Sequence, residues 1–295
     1  MEYCMKTRKT ILQSYYSYWF AVPGLIIYLL IFVLPTFSSF YFALTRWDML
    51  TSTFIGFQNF KTFFSQTNTK ASLANTFIYA FSTSLSKVVF GLFIALGLVK
   101  KSKAHSYLES LIFFPTLLGY VVVGITFSKL MHPSRGLINM MLGPIGLPKL
   151  RWLADPAIAM PAVILVDFWQ GIGITTVIYI AGLNSIPQTY YEAAVIDGCN
   201  AVQRFRHVTL PLLVPAINSV LTLSLIGGLK HYELIWTMTE GGPGYATEVL
   251  GTVIYKLFAA GNYGLSTAGY VLMFVLTAIL VFPLNTWVGR KEVGL

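Results

Sequence analysis

Six stretches of this chain are long enough and apolar enough to cross a lipid bilayer, and they constrain the fold more than any other feature. A helix needs about 20 mostly apolar residues to span roughly 30 Å of hydrocarbon. The stretches cover residues 18–44, 73–99, 108–130, 158–183, 208–229 and 265–288. We therefore predict an all-α, polytopic membrane protein with six transmembrane helices.

The composition supports this prediction. Hydrophobic residues make up 56% of the chain and charged residues only 11%, whereas soluble domains carry about 25% charged residues. The net charge of +9 would also suit a nucleic-acid-binding protein, but the hydrophobicity argues against one, and we expect no nucleic-acid partner. The stretch at 18–44 is longer than the apolar core of a signal peptide, so we interpret it as a retained first span.

The distribution of basic residues predicts the orientation. Cytoplasmic loops of membrane proteins carry an excess of Lys and Arg. These residues are densest in the segments that would be cytoplasmic with the N-terminus inside, which are 1–17, 100–107, 184–207 and 289–295. We therefore predict that both termini are cytoplasmic (N-in and C-in). Cys4 and Cys199 then lie in a reducing compartment as free thiols.

The loop between the fourth and fifth spans carries the strongest local signal. Pro187 can begin a helix because the first turn does not need its missing N–H group. Glu192, Ala193 and Ala194 favour a helix, and Gly198 suits the left-handed turn that ends one. We predict a short cytoplasmic helix over residues 187–197, followed by a second helix that leads into the fifth span. Such a helix suits docking onto a soluble partner.

This loop resembles the EAA motif of binding-protein-dependent ABC importer permeases. That motif is Glu-Ala-Ala, three residues, Gly, nine residues, Ile, one residue and Leu-Pro. The matching residues are Glu192, Ala193, Ala194, Gly198, Leu210 and Pro211, with Val208 in place of Ile. Shorter segments resemble the carbohydrate and glycerol-phosphate branch of these permeases, in the family's order: residues 54–60, 75–76, 113–115, 136–139, 152–156 and 239–244.

The resemblance implies a type I permease fold and a set of partners. The loop at 187–211 would dock on a cytoplasmic ATPase, with Glu192 at the contact and Gly198 setting the turn. Two ATPase subunits would bind ATP and Mg²⁺, while this chain would hold no cofactor or metal. The other implied partners are a second homologous permease, an extracytoplasmic solute-binding protein, a sugar substrate and membrane lipid. The implied location is the cytoplasmic (inner) membrane of a prokaryote, as a multi-pass protein.

The resemblance also divides the chain into three parts. Residues 1–72 would form an N-terminal segment with the first span and an external loop. Residues 73–288 would form the permease domain with its coupling loop, and residues 289–295 a cytoplasmic tail.

The same resemblance points to a substrate path along the fourth and fifth spans. Its residues are Gln170, Gly171, Ser224, Gly227, Gly228 and His231, with Lys230 beside them. Polar groups lining a cavity suit a hydroxyl-rich sugar, but Gly and Ser also favour close helix packing in membranes. Both interpretations stay open. A cation at Lys230 or His231 would favour an acidic solute, such as a uronic-acid oligosaccharide or a phosphate ester.

Two ionisable residues fall inside predicted spans, Lys87 in the second and Asp167 in the fourth. Charged groups there are energetically costly and usually face a bundle interior or a wet cavity. We expect either a structural pair or hydrogen bonds to the backbone, or a functional role.

The sequence gives little support to other classes of protein. It has no Gly-x4-Gly-Lys-Ser/Thr phosphate loop and no HExxH motif, which are marks of ATP hydrolysis and of zinc proteases. Asp167 alone does not supply the catalytic pair of an intramembrane enzyme, so we expect no enzyme activity. A secondary active transporter without an ATPase remains the alternative, although such proteins often show two inverted halves.

Overall fold

The structure is a computed structural model that describes residues 18–99 and 105–290. Several features used to predict the orientation lie outside the described residues, namely Cys4 and the basic groups at 1–17, 100–104 and 291–295. In chain order the helices and strands are α1 (Trp19–Ala43), β1 (Thr45–Trp47), β2 (Ser52–Phe54), α2 (Gln58–Ser65), α3 (Thr67–Leu98), α4 (His105–Phe113), α5 (Tyr120–Leu130), α6 (Leu137–Leu142), α7 (Pro156–Ser185), α8 (Gln188–Ile196), α9 (Ala201–Leu212), α10 (Val214–Lys230), α11 (Glu233–Thr239), α12 (Leu250–Ala259) and α13 (Tyr263–Gly289).

Four helices are each long and apolar enough to cross a membrane, and two bent pairs can supply two further crossings. The four are α1, α3, α7 and α13, and the bent pairs are α4 with α5 and α9 with α10. Counting each bent pair as one span gives up to six crossings. This agrees with the six apolar stretches of the sequence.

The third and fifth spans are broken, although the apolar pattern predicts continuous helices there. After α4 the chain forms a 3₁₀ turn containing Pro115 and then two extended residues, Leu118 and Gly119, and the axis bends by 96°. The α9–α10 bend of 64° falls at Leu213, between Pro211 and Pro215. Proline removes a helical N–H donor and clashes with the preceding turn, which favours a break at both places.

Strands β1 and β2 form a small antiparallel hairpin on the predicted external side. The helical pattern of the sequence does not predict this hairpin. Its tip is closed by Asp48, whose carboxylate accepts hydrogen bonds from the backbone N–H groups of Leu50 and Thr51. The bonds from Thr51 hold the pKa of Asp48 below its usual value. The Asn59 side chain donates to the carbonyl oxygens of Ala43 and Thr45 and so ties α2 to the hairpin.

The buried centre of the chain lies where α3 packs against α7 on one side and α10 on the other. Small residues allow these helices to approach closely. A side chain at Gly228 would lie 2.8 Å from the Ala80 Cα atom, and one at Gly91 would lie 2.8 Å from the Thr175 hydroxyl oxygen. Close packing at small residues is the usual way in which helices associate in a membrane. In contrast, α1 packs on α13 and leaves most of its apolar surface exposed.

Candidate functional site

The predicted cytoplasmic helix forms as α8, between the fourth and fifth spans. It begins after Pro187 and ends at Ile196, and Asp197 and then Gly198, with a φ of +76°, follow it. No atom lies within 4 Å of where a Gly198 side chain would start. The left-handed backbone, rather than crowding, therefore explains a glycine at this position. Asn200 then begins α9 with a capping box that it shares with Gln203.

One face of α8 is fixed to the rest of the chain and the other is open. Ala194 is buried, and the Tyr191 hydroxyl lies 3.1 Å from the Thr209 hydroxyl of α9. On the open side Glu192 is exposed and Ile196 has 86% of its surface exposed. Beside them is a hollow of about 290 Å³, lined by Gln188, Tyr191, Glu192, Val195, Ile196 and Arg204.

The remaining motif residues lie at the base of this arrangement. Ala193 is exposed on α8, while Leu210 and Pro211 are partly buried in the last turn of α9. The motif therefore extends from an exposed helix to the bend that starts the fifth span. A helix that exposes apolar side chains while it is anchored on its other side is typical of a protein-docking surface.

Gln170 and Gly171 lie in the middle of α7, next to the break in the third span. The Gln170 side-chain amide donates to the Leu118 carbonyl oxygen over 2.7 Å, and its own backbone oxygen accepts from the Thr116 hydroxyl over 2.9 Å. Both partners belong to the segment between α4 and α5. In this conformation Gln170 therefore provides hydrogen-bond partners for the Leu118 carbonyl and the Thr116 hydroxyl, which lie where the third span is broken.

Gly171 makes room for Lys87. A side chain at Gly171 would start 2.6 Å from the Lys87 Cε atom. Lys87 Nζ in turn lies 2.6 Å from Asp167 Oδ2, and both side chains are buried. The structural pair that the sequence allowed is thus confirmed, and it joins the second and fourth spans.

The substrate-path residues of the fifth span point in different directions. Ser224 and Gly228 are buried, whereas Gly227 has open space around it. His231 is enclosed by aromatic rings, with its ring centre 4.3 Å from that of Tyr120 and 5.7 Å from that of Tyr79. In the part of the chain that the structure describes, these substrate-path residues therefore have different surroundings, and the substrate path stays a prediction.

Lys230 lies apart from its neighbour His231 and lines a cavity of about 360 Å³ between α1, α13 and the end of α10. Two tyrosines of this cavity, Tyr232 and Tyr270, were not predicted as site residues. Tyr232 follows Lys230 by two residues, and Tyr270 is a polar aromatic residue within the mostly apolar sixth span. These two positions could have indicated a site in the sequence. The sequence alone, however, does not show that the first, fifth and sixth spans meet there.

On the predicted external side the structure joins the family-like residues Asn75 and Thr76 to the stretch that directly follows the family-like segment 239–244. The Asn75 side-chain amide donates to the backbone oxygens of Tyr245 and Glu248, and the Thr76 hydroxyl accepts from the Leu250 N–H group. The fully buried Glu248 carboxylate is paired with Lys256 over 2.7 Å. The segment after the fifth span is therefore held firmly on the start of α3. Among the described residues no cluster of His, Cys, Asp or Glu could hold a metal ion.

The profile of a known protein family matches residues 87–292, and its description is "Binding-protein-dependent transport system inner membrane component". The chain belongs to this family. This permease is 31% identical over 263 residues to the trehalose/maltose transport system permease protein MalF of Thermococcus litoralis, covering 88% of the chain and 89% of the relative. It is 29% identical over 277 residues to the multiple sugar-binding transport system permease protein MsmF of Streptococcus mutans serotype c, covering 93% and 95%.

Solved structures share the fold of this permease. A chain of a bacterial ABC transporter involved in the import of the acidic polysaccharide alginate aligns with a TM-score of 0.81 at 24% identity, over 97% of this chain and 99% of that one. A chain of the MetNI methionine ABC transporter aligns with a TM-score of 0.55 at 16% identity, over 75% of this chain and 95% of that one. The protein is thus a multi-pass membrane permease with the type I ABC importer fold.

Proposed function

We propose that this permease is one of two homologous membrane subunits of an ATP-driven importer for a sugar or oligosaccharide, located in the cytoplasmic membrane of a prokaryote. The relatives named for trehalose/maltose and for multiple sugars match nearly their whole length to this chain. An extracytoplasmic binding protein would deliver the solute. Two ATPase subunits would bind the ATP and Mg²⁺, since this sequence has no Gly-x4-Gly-Lys-Ser/Thr phosphate loop of its own.

The observation that carries the proposal is the anchored, half-exposed helix α8 before the left-handed turn at Gly198. In this proposal the Glu192 carboxylate and the Ile196 side chain, one helical turn apart, contact the ATPase. Because Ala194 and Tyr191 fix the opposite side of α8, a movement of the ATPase would pass through α9 to the bend beside Pro211. From there it would reach the fifth span.

The substrate path in this proposal runs along α7 and α10 and is completed by the second permease. Gly227 presents open space on α10, while Gln170, Gly171, Ser224, Gly228 and His231 are packed within this chain in the present conformation. We propose that alternating access changes their packing and exposes polar groups to the solute. Lys230 has a distinct environment, because it lines a cavity beside α1 and α13.

The experiment that tests the proposal measures ATP hydrolysis by the purified complex, coexpressed with its partners and reconstituted in membranes. We expect Glu192→Ala to assemble normally but to lose most of the hydrolysis stimulated by the loaded binding protein. Glu240→Gln is the control, because Glu240 is an exposed acid on the other side of the predicted membrane. If no ATPase copurifies and a proton gradient alone drives uptake, the secondary-transporter alternative replaces this proposal.

A further inference from the structure

The cavity beside Lys230 lies between three spans and combines aromatic rings, hydroxyl groups and one cation. Its volume of about 360 Å³ falls in the range of small-molecule sites, which are mostly apolar with a few placed polar groups. Its polar and aromatic lining residues include Ser39, Phe40, Lys230, Tyr232, Tyr270 and Phe274. With the predicted orientation they lie towards the outer ends of the first, fifth and sixth spans, on the side from which solute arrives.

Lys230 has no ion-pair partner among the described residues. Lys87 and Lys256, in contrast, are each joined to a carboxylate at 2.6–2.7 Å, whereas Lys61, Lys70, Lys129 and Lys149 resemble Lys230 in having no such partner among the described residues. Lys230 is the last residue of α10, one position beyond the predicted fifth span, and it is exposed. Its ammonium group is therefore available to an anion that enters the cavity.

The remaining polar groups of the cavity suit a sugar ring. The hydroxyl groups of Tyr232 and Tyr270 make no hydrogen bond to the described part of the chain, so they can both donate and accept. The Ser39 hydroxyl donates to the Pro35 carbonyl oxygen over 2.8 Å and so presents its lone pairs as acceptors. Phe40 and Phe274 supply flat apolar faces on the same cavity.

We propose that this cavity binds an acidic sugar unit of the transported oligosaccharide, and that the Lys230 ammonium group is the partner of its carboxylate. This inference rests on the proposed import of a saccharide and adds the chemical class of that saccharide. It also separates two neighbouring residues by role. Lys230 faces the cavity, whereas His231 is enclosed by Tyr79 and Tyr120 and is a packing residue in this conformation.

The first test asks whether the cavity is wet and positively charged in the assembled complex. The two native cysteines of this chain are first removed by Cys4→Ser and Cys199→Ser, and Ser39→Cys then places a single thiol in the cavity. Its rate of reaction is compared for two methanethiosulfonates, one anionic with a sulfonate group and one cationic with a trimethylammonium group. We expect the anionic reagent to react about fivefold faster than the cationic one, because a single nearby charge supplies that difference. Lys230→Gln should remove the preference and Lys230→Arg should keep it.

Tyr41→Cys is the matched control position, because Tyr41 is an exposed residue of α1 that does not line the cavity. No preference for the anionic reagent is expected there. If the Ser39→Cys thiol reacts with neither reagent, lipid or the second permease fills the cavity and the proposal is wrong. A second outcome would also overturn the proposal. If Lys230→Gln fails to bind the second permease and Lys230→Arg restores that binding, Lys230 belongs to the interface between the two permeases.

The second test asks which solute protects the Ser39→Cys thiol from labelling, with sodium glucuronate, glucose and inorganic phosphate as probes. A charged hydrogen bond contributes about 1.5–3 kcal/mol, so glucuronate should protect at roughly a tenfold or more lower concentration than glucose. This advantage should disappear in Lys230→Gln. Equal protection by glucose, or stronger protection by phosphate, would overturn the carboxylate assignment. Labelling requires no ATP hydrolysis, so its failure is distinguishable from a failure of the coupling proposal.

Discussion

Lys87 Nζ lies 2.6 Å from Asp167 Oδ2, and this buried ion pair joins the second and fourth spans. Both residues stand out in the sequence because charged groups inside a span are rare. The pair sits beside Gly171, whose missing side chain leaves space for the lysine. Lys87 thus contacts two residues of α7, one helical turn apart, that lie about 80 positions away in the sequence.

Removing one member of this pair should destabilise the protein strongly. Lys87→Gln leaves a buried carboxylate without its partner, and such changes cost about 3–5 kcal/mol. Replacing both charges, with Lys87→Met and Asp167→Leu together, should cost less than either single change. The measurement is thermal unfolding of the purified complex in detergent. Lys61→Gln, at an exposed lysine, is the control and should have little effect; equal stability of Lys87→Gln and Lys61→Gln would contradict the prediction.

Two adjacent glycines of α10 should respond oppositely to alanine. A side chain at Gly228 would lie 2.8 Å from the Ala80 backbone, whereas nothing lies within 4 Å at Gly227. Forcing extra volume into a packed core costs about 1–3 kcal/mol, so Gly228→Ala should lower the yield and the melting temperature of the complex. Gly227→Ala should be neutral or slightly stabilising, because alanine favours a helix. The prediction fails if both variants melt at the same temperature.

The turn after α8 should tolerate asparagine better than valine. Gly198 has a φ of +76°, a conformation that asparagine adopts fairly readily and β-branched residues adopt very rarely. Gly198→Asn should keep much of the ATP hydrolysis stimulated by the binding protein, and Gly198→Val should lose most of it. Assembly of both variants is checked by copurification of the ATPase. Similar activity in the two variants would show that the backbone geometry at this position is unimportant.

The outer segment between the third and fourth spans should depend on Asn139. Its buried side chain donates to the Pro133 and Leu150 carbonyl oxygens and accepts from the Leu150 N–H and the Trp152 ring N–H. At about 1 kcal/mol per hydrogen bond, Asn139→Ala should destabilise this segment locally. Hydrogen exchange over residues 133–152 should become faster while exchange in α7 stays unchanged. Asn139→Asp should have an intermediate effect, since it keeps an acceptor and loses the donors.

The spans and the coupling loop could be predicted from the sequence because their signals are local. Apolar length alone indicates a span, and the proline, helix formers and glycine at 187–198 each act within a few residues of their position. The bends at Leu118–Gly119 and Leu213 could not be predicted in the same way. Proline marks where a break can occur, but the angle depends on neighbours such as Gln170, which satisfies the open backbone groups of the third span.

The substrate path was harder to predict because a polar residue in a span has two possible roles. Gly228 and Gly171 prove to be sites of close packing in this conformation, and His231 packs between aromatic rings. The cavity beside Lys230 is built from the first, fifth and sixth spans. Its members share no local pattern, so only the folded arrangement brings them together.

The buried pair of Lys87 and Asp167 also has an electrical consequence. A single charge moved across a membrane potential of 100 mV changes in energy by about 2.3 kcal/mol. A lysine and an aspartate that move together carry no net charge, so a switch that keeps them in contact does no electrical work on the bundle. The pair should therefore add nothing to any dependence of transport on the membrane potential, so that dependence should be the same in the wild-type importer and in an assembled Lys87→Met, Asp167→Leu variant.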